Sequence, residues 1–232
     1  MSEPRPWTVN QPEALVQRDE ALWTIDDQVP GLPGAGRRMS ILKRADGGLI
    51  FYNAIPVPDA TLDQIRALGK PAQLVLPNHF HALDSAAFAQ KLAVTAYAPA
   101  IGVEKLARRV KCEPITSLPP EPSLKHFTVT GFATHEAVIV FGRTLLVADL
   151  VTNVPHRNTP IGLMMRLVGF TGAAPKLPKP VQKRVGRDFP AVRALLEELA
   201  AVPGLSRIIP SHGRIVETDA PAALKAVAQS LS

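Results

Sequence analysis

The chain has 232 residues, of which 46% are hydrophobic, a single cysteine, and a formal net charge of +6. That length buries a core without staples, and Cys112 alone excludes an internal disulfide and fits a reducing compartment. No stretch approaches the roughly 18 apolar residues of a membrane span, and the first residues lack a signal-peptide shape, so the sequence reads as a cytoplasmic protein with no transmembrane segment.

Residues 1–20 are polar and Pro-rich and read as a poorly structured leader; 21–232 read as a single domain with a basic, Pro- and Gly-rich insertion at 155–187. Ala21 to Ile25 alternates and predicts the first strand. The turn-rich loop from Pro30 to Gly36 has no Lys-Ser/Thr after it, which excludes a phosphate-binding P-loop. Arg38 to Arg44 and Leu49 to Tyr52 predict a hairpin around Asp46-Gly47-Gly48, where glycine tolerates positive φ. Asp59 to Gly69 predicts a helix with Leu62, Ile65 and Leu68 on one face.

Leu74 to Leu76 reads as a buried strand, stopped by Pro77 and Asn78. His79, His81 and Asp84 follow it. In an extended segment residues i and i+2 point to the same side, so His79 and His81 would converge on one ion. Zinc takes such nitrogens and carboxylate oxygens at about 2.0–2.2 Å. Taken alone, the pair is a weak signal and reads more simply as two polar loop residues. Asp84 has its own plain reading: either it or Ser85 caps a helix from Ser85 to about Leu92.

A strand at Ala96 to Pro99 and a helix from Gly102 to Val110 come next. Strands are predicted at Phe127 to Val129, Ala137 to Phe141 and Thr144 to Ala148, the last ending at Asp149. The insertion predicts a short helix around Leu163 to Val168. Helices at Phe189 to Ala201 and Ala220 to Leu231 flank a strand, Arg207 to Pro210, that ends at Ser211-His212-Gly213. Hairpins separated by helices define a layered α/β (α+β) domain with strand ends meeting on one edge. Polar groups recur at those ends: His79, His81 and Asp84, then Asp149, then His212.

In the order of these motifs the chain resembles the metallo-β-lactamase fold superfamily, from about Trp23 to the last helix. The stretch Thr144 to Asn153, preceded by Glu136, is similar to the branch called domain of unknown function 4336. The resemblance implies an αββα sandwich with one or two metal ions at one edge of its sheets. It implies His79, His81, Asp149 and His212 as metal ligands. Leu83 and Asp84 stand where the superfamily's loop has Asp and His, and Phe132 stands at the third His, with His135 three residues later. Asp84 and His135 therefore complete the candidate set, and Asp84 and Asp149 are the candidate catalytic carboxylates. Zinc leads as the metal, while iron and manganese suit the same ligands.

The first reading is a metal-dependent hydrolase. In it, metal-bound water attacks an ester, lactone, thioester or phosphoester of a small substrate. The insertion walls the site, and its cations favour an anionic substrate. The alternative is a degenerate relative that binds a partner without catalysis, for which the Leu83 and Phe132 departures argue. No nucleic-acid-binding motif accompanies the positive charge.

Overall fold

The computed structural model describes residues 5–32 and 34–231; the first four leader residues, Pro33 of the turn-rich loop and Ser232 lie outside the described residues. The chain forms two compact units, Met1–Ser123 and Leu124–Ser232. The boundary between the units falls directly before a strand, and the 155–187 insertion lies wholly within the second.

The first unit is built on one seven-stranded sheet whose strands lie in chain order. Strands β1 (Val16–Asp19), β2 (Leu22–Gln28), β3 (Gly36–Lys43) and β4 (Gly48–Tyr52) run antiparallel. The hairpin between β3 and β4 closes as its sequence predicts: Gly47 takes φ 82°, and the Asp46 carboxylate accepts the Gly48 N–H at 2.9 Å. Three parallel strands then follow: β5 (Lys70–Val75), β6 (Thr95–Ala98) and β7 (Cys112–Pro114). Parallel neighbours need crossovers, supplied by helices α1 (Asp59–Leu68), α2 (Ser85–Leu92) and α3 (Ala100–Leu106). Leu62 and Ile65 of α1 and Phe88 of α2 meet Ile41, Phe51 and Leu74 of the sheet in one buried cluster. Phe88 also takes the edge of Phe51 and the face of Trp7, ring centroids 5.1 and 5.8 Å apart. The leader is thus more ordered than its composition implies, since Trp7 packs on the core and residues 16–19 form β1. Cys112 is half-buried, and burial pushes its thiol up from the ordinary range.

The second unit has a four-stranded sheet in the order β11-β10-β9-β8. Strands β8 (Leu124–Val129), β9 (Glu136–Phe141) and β10 (Thr144–Val147) are antiparallel, and β11 (Arg207–Pro210) runs parallel to β10. Every residue of β9 and β10 is buried, as continuous apolar runs require. Between β10 and β11 lie helices α4 (Pro160–Leu167), α5 (Lys179–Val185) and α6 (Phe189–Ala200); α7 (Ala220–Gln229) follows β11. Val192, Leu196 and Leu199 of α6 join Leu224 and Val227 of α7 over Val138, Leu145 and Ile208. Among the described residues, no helix is long and apolar enough to cross a membrane.

Three elements had no sequence signal: β1 is a polar edge strand, β7 is three residues long, and α5 offers only Val181 and Val185 as apolar positions.

Candidate metal centre

Two of the candidate ligands are assembled by the second unit alone. Strands β10 and β11 pair in parallel with Val147 opposite Pro210. Asp149 and His212 each lie two residues beyond that pair, so the register sets them level at neighbouring strand ends. A carboxylate oxygen of Asp149 and a ring nitrogen of His212 lie within 4.8 Å of each other.

The backbone around this pair is held on both sides. Ser211 donates its N–H to the Val147 carbonyl at 2.8 Å and its hydroxyl to the same oxygen at 3.1 Å. The His212 carbonyl accepts the Asn153 N–H at 3.2 Å, and the Asn153 carbonyl accepts the Arg214 N–H at 2.8 Å. Gly213 sits between with φ 90°, and a Cβ there would collide with the Asn153 carbonyl. Only glycine combines that backbone angle with so close an approach. The Phe170 ring meets His212 edge-on at 6.3 Å.

Glu136 is the other fixed point. It is wholly buried at the start of β9. Its carboxylate accepts the N–H groups of Ala148 and Asp149, both at 2.8 Å, and that of Leu150 at 3.1 Å. Three donors converging on one carboxylate fix the path of the loop that carries Asp149. The sequence put Glu136 in a family pattern but gave it no task.

The first unit presents His81. The expectation of an extended His-x-His segment is corrected here: His79–His81 is a turn of 3₁₀ helix, started by Asn78, whose side chain accepts the Phe80 N–H at 2.9 Å. In such a turn residues i and i+2 lie about 240° apart, so the two rings do not share a side. His79 packs against the Phe80 ring, centroids 4.2 Å apart. His81 instead places Nδ1 3.1 Å from the Asn53 Oδ1. The Asn53 amide donates to the Arg38 carbonyl at 3.0 Å, which fixes its orientation and makes Oδ1 the acceptor. Nδ1 of His81 therefore carries the proton and Nε2 the lone pair, the arrangement that suits a histidine ligand held by an outer partner. Asn53 takes φ 69° directly after β4, a conformation that Asn tolerates better than most residues. Sequence reasoning missed Asn53 because it lies 28 residues from the histidine that it orients.

Asp84 stands at the N-cap position of α2, as expected, and its carbonyl accepts the Phe88 N–H at 3.0 Å, but its carboxylate is used elsewhere. It makes no capping hydrogen bond to α2. Its carboxylate is buried against the Arg37 guanidinium at 2.5 Å, with Arg5 at 3.7 Å. Arg37 also holds Asp27 at 2.9 Å. Two arginines face this oxygen pair, so within its unit Asp84 is an ion-pair partner. His135 sits in the turn before β9 with φ 45°, its N–H on the Phe132 carbonyl at 3.1 Å, and does not join the grouping of Asp149 and His212. Of the positions where the resemblance departs, Leu83 is exposed and Phe132 is a core residue of the second unit.

No family model and no curated protein matches the chain. Solved structures do. A metallo-β-lactamase from Pontibacter korlensis is 13% identical, with 95% of this chain and 100% of that one covered at a TM-score of 0.61. FIM-1 from Pseudomonas aeruginosa, in its mono-zinc form, is 13% identical over 96% and 97% of the two chains, TM-score 0.63. A metallo-β-lactamase from Hirschia baltica is 12% identical over 94% and 98%, TM-score 0.64. The chain has the metallo-β-lactamase fold, the αββα architecture, to which each unit contributes a sheet and its helices. The likeness carries the fold and not the branch resembled by Thr144 to Asn153.

Proposed function

We propose that the protein is a metal-dependent hydrolase in which Asp149 and His212 of the second unit hold a divalent ion, with His81 as the further nitrogen that the resemblance to the superfamily implies. The observation that carries this reading is the level placement of Asp149 and His212 at the ends of β10 and β11, each on a backbone fixed by several hydrogen bonds. Preorganisation of that kind has no use in a solvated loop. His81 adds a nitrogen whose tautomer is already set by Asn53. Two imidazoles and a carboxylate fit zinc, with iron and manganese served by the same donors. The other three residues that the sequence put forward, His79, Asp84 and His135, are not needed for this reading, and the Asp84 carboxylate is engaged by arginine.

Bound there, a divalent ion supplies Lewis acidity and a water that is acidic near neutral pH. The chain's own residues do the rest. Asn53 holds the His81 ring, and Glu136 holds the loop that carries Asp149, whose carboxylate would orient the substrate or accept a proton in this reading. We assign as substrate a small ester, lactone, thioester or phosphoester, with anions favoured by the net charge of +6. The single thiol suits a cytoplasmic setting. The test is a hydrolysis screen of these four classes with zinc-loaded protein beside Asp149→Asn. Turnover of one class, lost in the variant, supports the reading; metal-loaded protein that turns over none of them sinks the catalytic part.

A binding protein without catalysis is the second reading. It is favoured by Phe132, a core side chain at the position where the resemblance puts the third histidine. It predicts metal or ligand binding with no turnover in the same screen.

A further inference from the structure

Helix α4 carries an apolar stripe that the fold leaves in water. Leu163, Met164, Leu167 and Val168 are 56, 52, 80 and 51% exposed. Positions i, i+1, i+4 and i+5 share one side of a helix. The helix rests on its other side, where Gly162 is buried. A helix covering a core normally turns charged residues outward, and an apolar patch left exposed marks a contact surface.

The surroundings of the stripe say what it would contact. From His156 to Arg187 the chain has no Asp or Glu and seven Lys and Arg residues. Three of these cations lie on or against the helix. Arg157 packs against Gly162 in the first turn of α4. Arg166 lies within the helix, and the Lys179 side chain runs along Gly169 immediately after Val168. Lys183 is exposed on α5. An apolar stripe in a segment that carries cations and no carboxylate matches a surface with acyl chains beneath a sheet of phosphates. It does not match a second copy of this chain, which would bring the same cations against it.

We propose that α4 and its flanking cations dock the protein on an anionic phospholipid membrane, with Leu163, Met164, Leu167 and Val168 entering the acyl boundary. This surface lies within the second unit and does not depend on the metal reading.

The test is co-sedimentation of the full chain with phosphatidylcholine vesicles, with and without about one part in three phosphatidylglycerol. Binding to the anionic vesicles alone, reversed by high salt, is expected. Leu163→Ser/Leu167→Ser should weaken it roughly tenfold or more, because the inserted apolar surface is halved. Arg166→Glu/Lys183→Glu should weaken it comparably, since each cation at the surface contributes about one unit of thermal-scale attraction or more. All four positions are exposed, so circular dichroism of the variants should match that of the parent. Failure to bind either vesicle overturns the proposal. So does binding that the serine variant leaves unchanged, which is cation attraction alone. A vesicle-blind dimer that the serine variant splits also overturns it, in favour of a second copy.

Discussion

Replacing Glu136 by Ala should damage the second unit far more than an ordinary buried-polar deletion. Its carboxylate is the acceptor for the N–H groups of Ala148, Asp149 and Leu150, and Ala148 and Leu150 are wholly buried. Deletion leaves these two donors unsatisfied away from water, at about 1–3 kcal/mol each, while the half-buried Asp149 N–H adds less. A loss of about 2–6 kcal/mol is expected, a large share of the 5–15 kcal/mol that stabilises a typical domain. Glu136→Gln keeps the shape and one acceptor oxygen but turns an amide N–H toward a donor, so it should fall between the two. The assay is urea unfolding followed by far-UV circular dichroism, because Trp7 and Trp23 both lie in the first unit and tryptophan fluorescence reports that unit. An alanine variant within about 1 kcal/mol of the parent would refute the reasoning, since the three N–H groups would then be satisfied without the carboxylate.

Two further predictions concern the backbone and the outer partner of the site. Gly213→Ala should lower the melting temperature and abolish metal uptake, since its Cβ meets the Asn153 carbonyl and its φ of 90° is strained for alanine; the cost is about 1–3 kcal/mol for the backbone angle alone. A variant that melts with the parent would show that the turn between β11 and Arg214 can relax. Asn53→Gly keeps the permissive backbone at φ 69° but removes the acceptor for His81 Nδ1, so zinc affinity should fall about 10- to 100-fold, with some loss of melting temperature from the buried bond to the Arg38 carbonyl. Competition titration against a chelator measures it, and unaltered affinity would remove Asn53 from the site.

The parts legible in the sequence were those with short-range causes. The apolar runs before Asp149 and His212 predicted buried strands, and a carboxylate and an imidazole at their ends were visible as such; the parallel register of β10 and β11 makes them level. The Asp46-Gly47-Gly48 hairpin was equally local. What escaped depends on distant partners. Asp84 looked like a cap or a ligand because nothing in its neighbourhood announces Arg37, 47 residues away. Asn53 lies one residue past the predicted strand Leu49 to Tyr52 and carries no local signal of its task. His79 and His81 were read as an extended pair because Pro77 and Asn78 signal a stop but not the 3₁₀ turn that follows, and that turn decides which ring points where. The resemblance to the superfamily fixed the fold across these gaps, but positions such as Phe132 show that it does not transfer the ligand set residue for residue.

The central claim is that His81, Asp149 and His212 hold a metal ion, and metal content tests it most directly. Protein purified without a histidine tag should contain about one equivalent of zinc, iron or manganese by elemental analysis, as three protein ligands with an open position imply. His81→Ala/His212→Ala should be folded and metal-free. Parent protein that is folded, metal-free and takes up no added zinc would contradict the claim, as would a double variant that keeps its metal.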